Sequence, residues 1–232
     1  MILYDGVDIR SVANVRIEDI RVSAIKYSPT VRERAINAGA VFVRNRRGTR
    51  TVTVTFALLK QDTASRQADL AAISAWAKTD KEYKIQVVGH DNVYLTGVCT
   101  SKPDPSIRQW WESKLRLVFT CYNNPFWTDE IEKSVACGTQ FTVFGDAEPL
   151  MRIVKTRSSS ASNVTYSDGT KTIRLSTVPS GDMVIDLNEE TAYIGSTSLM
   201  QYYQVTSRWI VPSLGTQTIT GDGTVKYRER WE

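Results

Sequence analysis

The sequence predicts a mostly β protein: an α+β N-terminal domain with one helix packed on a β-barrel or sandwich, followed by a C-terminal β-sandwich. Three observations predict it. Apolar and polar residues alternate at a period of two in several stretches, which is the pattern of strands with one wet face. One alanine-rich segment alone keeps a convincing helical pattern, and the second half is cut at short intervals by polar turns.

In chain order, Val52, Val54, Phe56 and Leu58 share one face of a strand whose other face is Thr51, Thr53 and Thr55. The helix starts at Asp62, a side chain suited to accept the first free N–H groups, and runs through Leu70, Ile73 and Trp76 without Gly or Pro. Ile73, Trp76 and Ala77 lie on one face, which should pack on the sheet. Tyr83, Ile85 and Val87 then oppose Lys84 and Gln86, and a turn at Gly89-His90-Asp91-Asn92 follows. Leu115, Leu117, Phe119 and Cys121 oppose Lys114 and Arg116. The pattern breaks from Asn123 onward, at Asn-Asn-Pro-Phe-Trp and then Asp129-Glu130-Ile131-Glu132, so the domains are expected at 1–130 and 131–232. Beyond the break, turns at 158–160, 167–169, 179–182, 188–190 and 221–223 separate expected strands at Ile173–Leu175, Met183–Leu187, Ser207–Val211 and Val225–Trp231.

Composition narrows the function. At 41% hydrophobic and 23% charged residues the chain has the balance of a folded globular protein, and 232 residues suffice for two cores. No apolar run approaches the roughly 20 residues of a membrane helix, and Asp5 and Asp8 stand where a signal peptide would be basic and then apolar. The net charge of +4 is too small to argue for sequence-specific nucleic-acid binding. Cys99, Cys121 and Cys137 have no Cys-x-x-Cys spacing, so they read as reduced, buried thiols rather than as a disulfide framework or a zinc site.

Nothing in the chain assembles a catalytic set. His90 is the single histidine and sits in an expected turn, no Gly-x-Ser-x-Gly elbow or phosphate-binding glycine loop occurs, and no loop offers convergent oxygens for a hard cation. Asp182 and Asp186 share strand parity, but four strand residues hold them about 13 Å apart, outside the roughly 5 to 9.5 Å that sugar hydrolysis uses. A non-enzymatic protein without cofactor or metal is expected, one that binds macromolecules.

The surface candidate is the basic cluster Arg44, Arg46, Arg47 and Arg50 around Asn45 and Gly48, read as a hairpin tip between Val41-Phe42-Val43 and the Thr51 strand. Without interleaved aromatics it reads as a solvated or subunit-pairing arm rather than a nucleic-acid reader. The Lys226, Arg228 and Arg230 face is read the same way. Trp209 offers an alternative, a carbohydrate-binding sandwich for host-surface adhesion, though a tryptophan in that position is more often core or interface.

Several segments, taken in order, resemble the distal tail protein family of long-tailed phages and prophages, a siphovirus-type tail component. They are Tyr4-Asp5-Gly6-Val7-Asp8-Ile9, Glu33-Arg34 through Gly39 leading into Arg50–Phe56, the helix end Ile73-Ser74-Ala75-Trp76, Asp91–Val98, and above all Leu117 through Asn123-Asn124-Pro125-Phe126-Trp127. Met183–Asp186 and Val225–Trp231 extend the likeness into the second half. The sequence departs at Asn124, where many relatives carry Asp, and at Leu214-Gly215, where a longer glycine turn is usual. The resemblance implies a baseplate hub at the virion tail tip, made in the host cytoplasm. In it an N-terminal domain forms a usually hexameric ring and a galectin-like sandwich lies outside. The implied partners are further copies of the chain, the tail tube protein, the tape measure protein, the tail-tip or tail-associated lysin protein, and receptor-binding proteins.

Overall fold

The computed structural model describes residues 1–33, 40–59, 62–90, 92–102 and 114–232, with 27–33 and 40–47 at the level of the backbone. It divides into two compact units, Met1–Trp127 with Glu232, and Thr128–Trp231. The family-like stretch 34–39 and the turn residue Asp91 lie outside the described residues.

The first unit contains β1 (Ile2–Tyr4), β2 (Val7–Asp8), α1 (Ile9–Val12), β3 (Val15–Val22), β4 (Tyr27–Glu33), β5 (Ala40–Arg47), β6 (Arg50–Leu58), α2 (Thr63–Trp76), β7 (Tyr83–Val87), β8 (Val93–Ser101) and β9 (Leu115–Cys121). Its main sheet is antiparallel in the order β3-β6-β9-β8-β7-β1-β2. It ends on β3 and β2 and does not close into the barrel that was one of the two expected forms. The period-two reading of β6 holds: Val52, Val54 and Phe56 are wholly buried while the threonines between them are partly exposed. Leu115, Leu117, Phe119 and Cys121 on β9 are buried in the same way.

Helix α2 begins as expected, with Asp62 Oδ1 accepting the Ser65 N–H at 2.8 Å. It buries Leu70, Ile73 and Trp76, and Ala77 closes it. The join of helix to sheet is aromatic: Tyr4 lies 5.5 Å from Trp76, 5.4 Å from Tyr83 and 4.8 Å from Phe119 between ring centroids. Offset and edge-on rings at these separations add to plain burial. The Tyr4 hydroxyl donates to the Lys78 carbonyl at 2.8 Å, so the buried phenol is satisfied. The expectation of one helix needs correction: α1 is a second, single-turn helix, started by Asp8 Oδ1 accepting the Arg10 N–H, and a 3₁₀ turn forms at Met200–Tyr202. Such short turns leave no apolar periodicity to read.

Strand β10 (Trp127–Asp129) carries the chain into the second unit. There follow β11 (Lys133–Ala136), β12 (Gln140–Val143), β13 (Ala147–Arg157), β14 (Ala161–Ser167), β15 (Thr172–Val178), β16 (Gly181–Asp186), β17 (Thr191–Ile194), β18 (Thr197–Ser198), β19 (Gly215–Thr218) and β20 (Thr224–Trp231). One antiparallel sheet runs β18-β17-β16-β13-β20-β11, and the pairs β12-β19 and β14-β15 lie across a shared core. Phe141, Val164, Tyr166, Ile173 and Leu175 on the pairs meet Met151, Ile153, Met183, Ile185, Val225 and Tyr227 on the sheet. This is the expected sandwich. The strand expected at Ser207–Val211 is absent: Ser207 Oγ bonds both the N–H and the carbonyl of Arg174, and Arg208 N–H donates to Thr172, so side-chain and single backbone bonds replace a ladder.

Replacing Phe119, which touches both Tyr4 and Trp76, should be costly. Phe119→Ala is expected to lower unfolding free energy by about 3–5 kcal/mol, whereas Thr55→Ala on the wet face of β6 should stay within about 0.5 kcal/mol. Urea unfolding of both variants measures the contrast, and equal losses would contradict the assignment of the two faces.

Candidate functional site

The groups able to do chemistry are held in structural roles. His90 stacks on Trp127, with ring centroids 4.3 Å apart and planes within 13°. One imidazole face is therefore covered by indole. Asp182 accepts the Thr156 hydroxyl at 2.6 Å, while Asp186 accepts the N–H groups of Asn188 and Glu189 and so shapes the turn after β16. The two carboxylates serve different places on one strand. Burial pushes the Cys121 thiol up to about 12 and holds Cys99 and Cys137 above the ordinary thiol range. Thiols so shifted stay protonated and make poor nucleophiles. No cluster of three or more potential metal ligands occurs among the described residues.

Trp209 stacks on Tyr203 at 5.1 Å with planes within 10°, and both pack against the core of the second unit. One face of the Trp209 indole is thus covered by Tyr203. The basic face of β20 is also engaged. Lys226 pairs with Glu132, the Arg228 guanidinium donates to the carbonyls of Asp129 and Glu130, and Arg230 is buried and donates to the Glu148 carbonyl. These arginines and the lysine hold the entry segment 129–132 and the start of β13 rather than forming a free cationic surface.

The four arginines of the candidate arm do not form a hairpin tip. Arg44, Arg46 and Arg47 lie within β5, opposite Thr30, Ser28 and Tyr27 of β4, and Arg50 opens β6. The turn read at Asn45–Gly48 is instead a strand followed by a short irregular link, because Gly48 N–H donates to Lys26 and Lys26 N–H to Thr49, continuing the antiparallel pairing. Arg50 is 4% exposed, which removes its side chain from any outward-facing cluster. The side chains of Arg44, Arg46 and Arg47 lie outside the description.

What sequence reasoning missed is the extent of the ribbon. Strands β3 and β6 pair up to Val22–Val52, Ser23 N–H donates to Thr51 at 2.9 Å, and the β4–β5 pair resumes at Tyr27–Arg47. One antiparallel ribbon results, half of it inside the sheet and half beyond it. The local signal is weak, Thr30 and Val31 on one side of 34–39 and Val41-Phe42-Val43 on the other, and the basic residues read as a tip at the wrong end. On the solvent side of the sheet half, Arg16 and Lys114 both pair with Glu18, Arg21 pairs with Asp19, and Arg116 reaches Thr53. That face carries exposed ion pairs, each worth little in water.

Residues 145–231 match the family model described as the siphovirus-type tail component, C-terminal domain. The fold is similar to the crystal structure of the SPP1 Dit (gp 19.1) protein, described as a paradigm of hub adsorption apparatus in phages infecting Gram-positive bacteria. The TM-score is 0.75 and the identity 18%, over 100% of this chain and 98% of that one. It is also similar to a chain of the phage P2 baseplate in its activated conformation with Ca, at a TM-score of 0.52 and 9% identity, over 97% and 93% of the two chains. No curated protein matches. The family expected from the sequence is the one whose C-terminal-domain model and whole-chain fold are matched.

The raised Cys121 and Tyr166 groups make a pH dependence. Burial lifts Cys121 from 9.0 and Tyr166 from 10.0, each to about 12, so the folded state favours their protonated forms. The stability they contribute is whole below their ordinary values and is lost as pH climbs toward 12. Melting temperature should therefore fall above pH 9, and Cys121→Ala should flatten part of the fall. A wild-type profile that is level up to pH 12 would contradict it.

Proposed function

We propose that the chain is a non-enzymatic distal tail, or baseplate hub, protein that oligomerises into a ring and joins the tail tube to the tip apparatus of a siphovirus-type phage or prophage. The observation that carries this is the coincidence of a tail-component family match over 145–231 with an end-to-end fold likeness to a hub protein. The engagement of His90, Asp182, Asp186 and the cysteines in packing and turns supports a structural rather than a catalytic role.

In this reading the first domain, residues 1–130, builds a ring that is usually hexameric in the family, and residues 131–232 are a galectin-like sandwich. The β4–β5 half of the ribbon, with Arg44, Arg46 and Arg47, reaches a neighbouring subunit or tail protein. Partners are the tube protein, the tape measure protein, the tail-tip or tail-associated lysin protein, and receptor-binding proteins. The protein resides at the virion tail tip. A glycan-binding sandwich is the weaker alternative, since Trp209 already has Tyr203 against one face.

Purified protein viewed by negative-stain electron microscopy is expected to form closed rings, and antibody labelling of particles should mark the tail end distal to the head. A strictly monomeric protein that is missing from purified particles would overturn the reading.

A further inference from the structure

We propose that the outward face of the main sheet of the second unit holds a binding site for a neutral oligosaccharide, centred on Val154 and Val184 and flanked by Tyr193. The proposal goes beyond the hub reading, since a ring forms or fails to form whether or not this face takes sugar.

The alternation along each strand fixes what the face presents. Ile153, Ile185, Ala192 and Val225 are buried in the sandwich core, so their neighbours Val154, Val184, Tyr193 and Thr224 point the other way and are partly exposed. The register sets these four side by side: Tyr193 beside Val184, Val184 beside Val154, and Val154 beside Thr224. With about 4.8 Å between strands the row runs about 14 Å, enough for a short oligosaccharide laid across them. Trp209 has Tyr203 against it, whereas among the described residues no ring stacks on Tyr193.

Next to this row the face sinks into a hollow of about 630 Å³, with Val154 and Val184 as its apolar part. That volume lies in the range of small-molecule sites. Gly223 belongs to the lining and keeps the hollow open by having no side chain, because an added Cβ would meet the Val154 carbonyl oxygen at 2.6 Å.

The polar lining decides the ligand. Thr156, Asp182, Lys155, Asp222 and Lys226 complete it, with two carboxylates against two ammonium groups. The Thr156 hydroxyl donates to Asp182 at 2.6 Å, Lys155 Nζ lies 2.7 Å from Asp222, and Lys226 Nζ lies 3.6 Å from Glu132. With charge balanced in this way, neither a phosphate group nor a metal ion meets a net attraction. A sugar hydroxyl both donates and accepts. A carboxylate that already has one partner keeps lone pairs for it, and a paired ammonium keeps hydrogens. The valines and the Tyr193 ring then meet the C–H faces of the sugar rings. The core of a protein interface has the opposite make-up, with aromatic, methionine and arginine anchors and few charges.

The full-length protein on an array of neutral hexose and N-acetylhexosamine oligosaccharides, beside sulfated and phosphate-bearing ones, tests the site. Neutral saccharides should be retained equally at low and high salt, because no net charge is being matched. Asp182→Ala and Tyr193→Ala should each weaken that binding at least about tenfold with an unchanged circular dichroism spectrum, while Trp209→Phe, which keeps a ring against Tyr203, should leave it intact. On the wild-type chain, the bound saccharide should slow chemical labelling of the Lys155 and Lys226 amines, read by mass spectrometry. If a variant loses its circular dichroism, this labelling decides. Binding of the anionic glycans alone, or binding that Trp209→Phe removes and the outer-face variants do not, would overturn the proposal. So would a chain that ignores every neutral saccharide while the same lysines are shielded in purified particles, which would assign the face to a tail protein. None of these results bears on whether rings form, which electron microscopy of the same preparation reads separately.

Discussion

The first unit is organised by the pairing of β6 on both edges. Val52, Val54 and Phe56 are wholly buried with β3 paired on one side of them and β9 on the other, both ladders spanning Val52 to Phe56. The alternation of valine and threonine sets the faces, and the end of β9 at Cys121 sets where the sheet stops. Everything distal to Arg50 follows: the ribbon continues by its own hydrogen bonds, without a third strand. The aromatic cluster of Tyr4, Trp76, Tyr83 and Phe119 then fastens α2 over the buried face.

Much of this was legible. The buried faces of β6, β7 and β9 and the N-cap of α2 are local patterns, and a period of two or an aspartate before an alanine-rich run reads directly. What failed depended on contacts distant in sequence. Whether Arg44–Arg47 form a tip or a strand is decided by Lys26 and Tyr27, which the local pattern does not contain. Ser207–Val211 has strand-like composition, yet Ser207 is drawn into side-chain bonding with Arg174. The burial of Arg50 and Arg230 was likewise invisible, because a charged residue at a strand end usually reads as solvated.

The second unit answers a different demand. Its basic residues look like a surface in the sequence but are consumed internally: Lys133 joins the buried Glu229 at 2.7 Å, and Glu229 also accepts the Phe144 N–H. A buried carboxylate needs such partners, and they tie β11, β12 and β20 together. Internal use of these charges leaves edges and faces, rather than a pocket, as the surfaces of this unit, in keeping with the structural role proposed above.

A cryo-electron microscopy map of the assembled full chain tests this account most directly. It should show a closed ring in which residues 1–130 make the contacts between subunits. A closed ring in which residues 1–130 make no contact between subunits would contradict it.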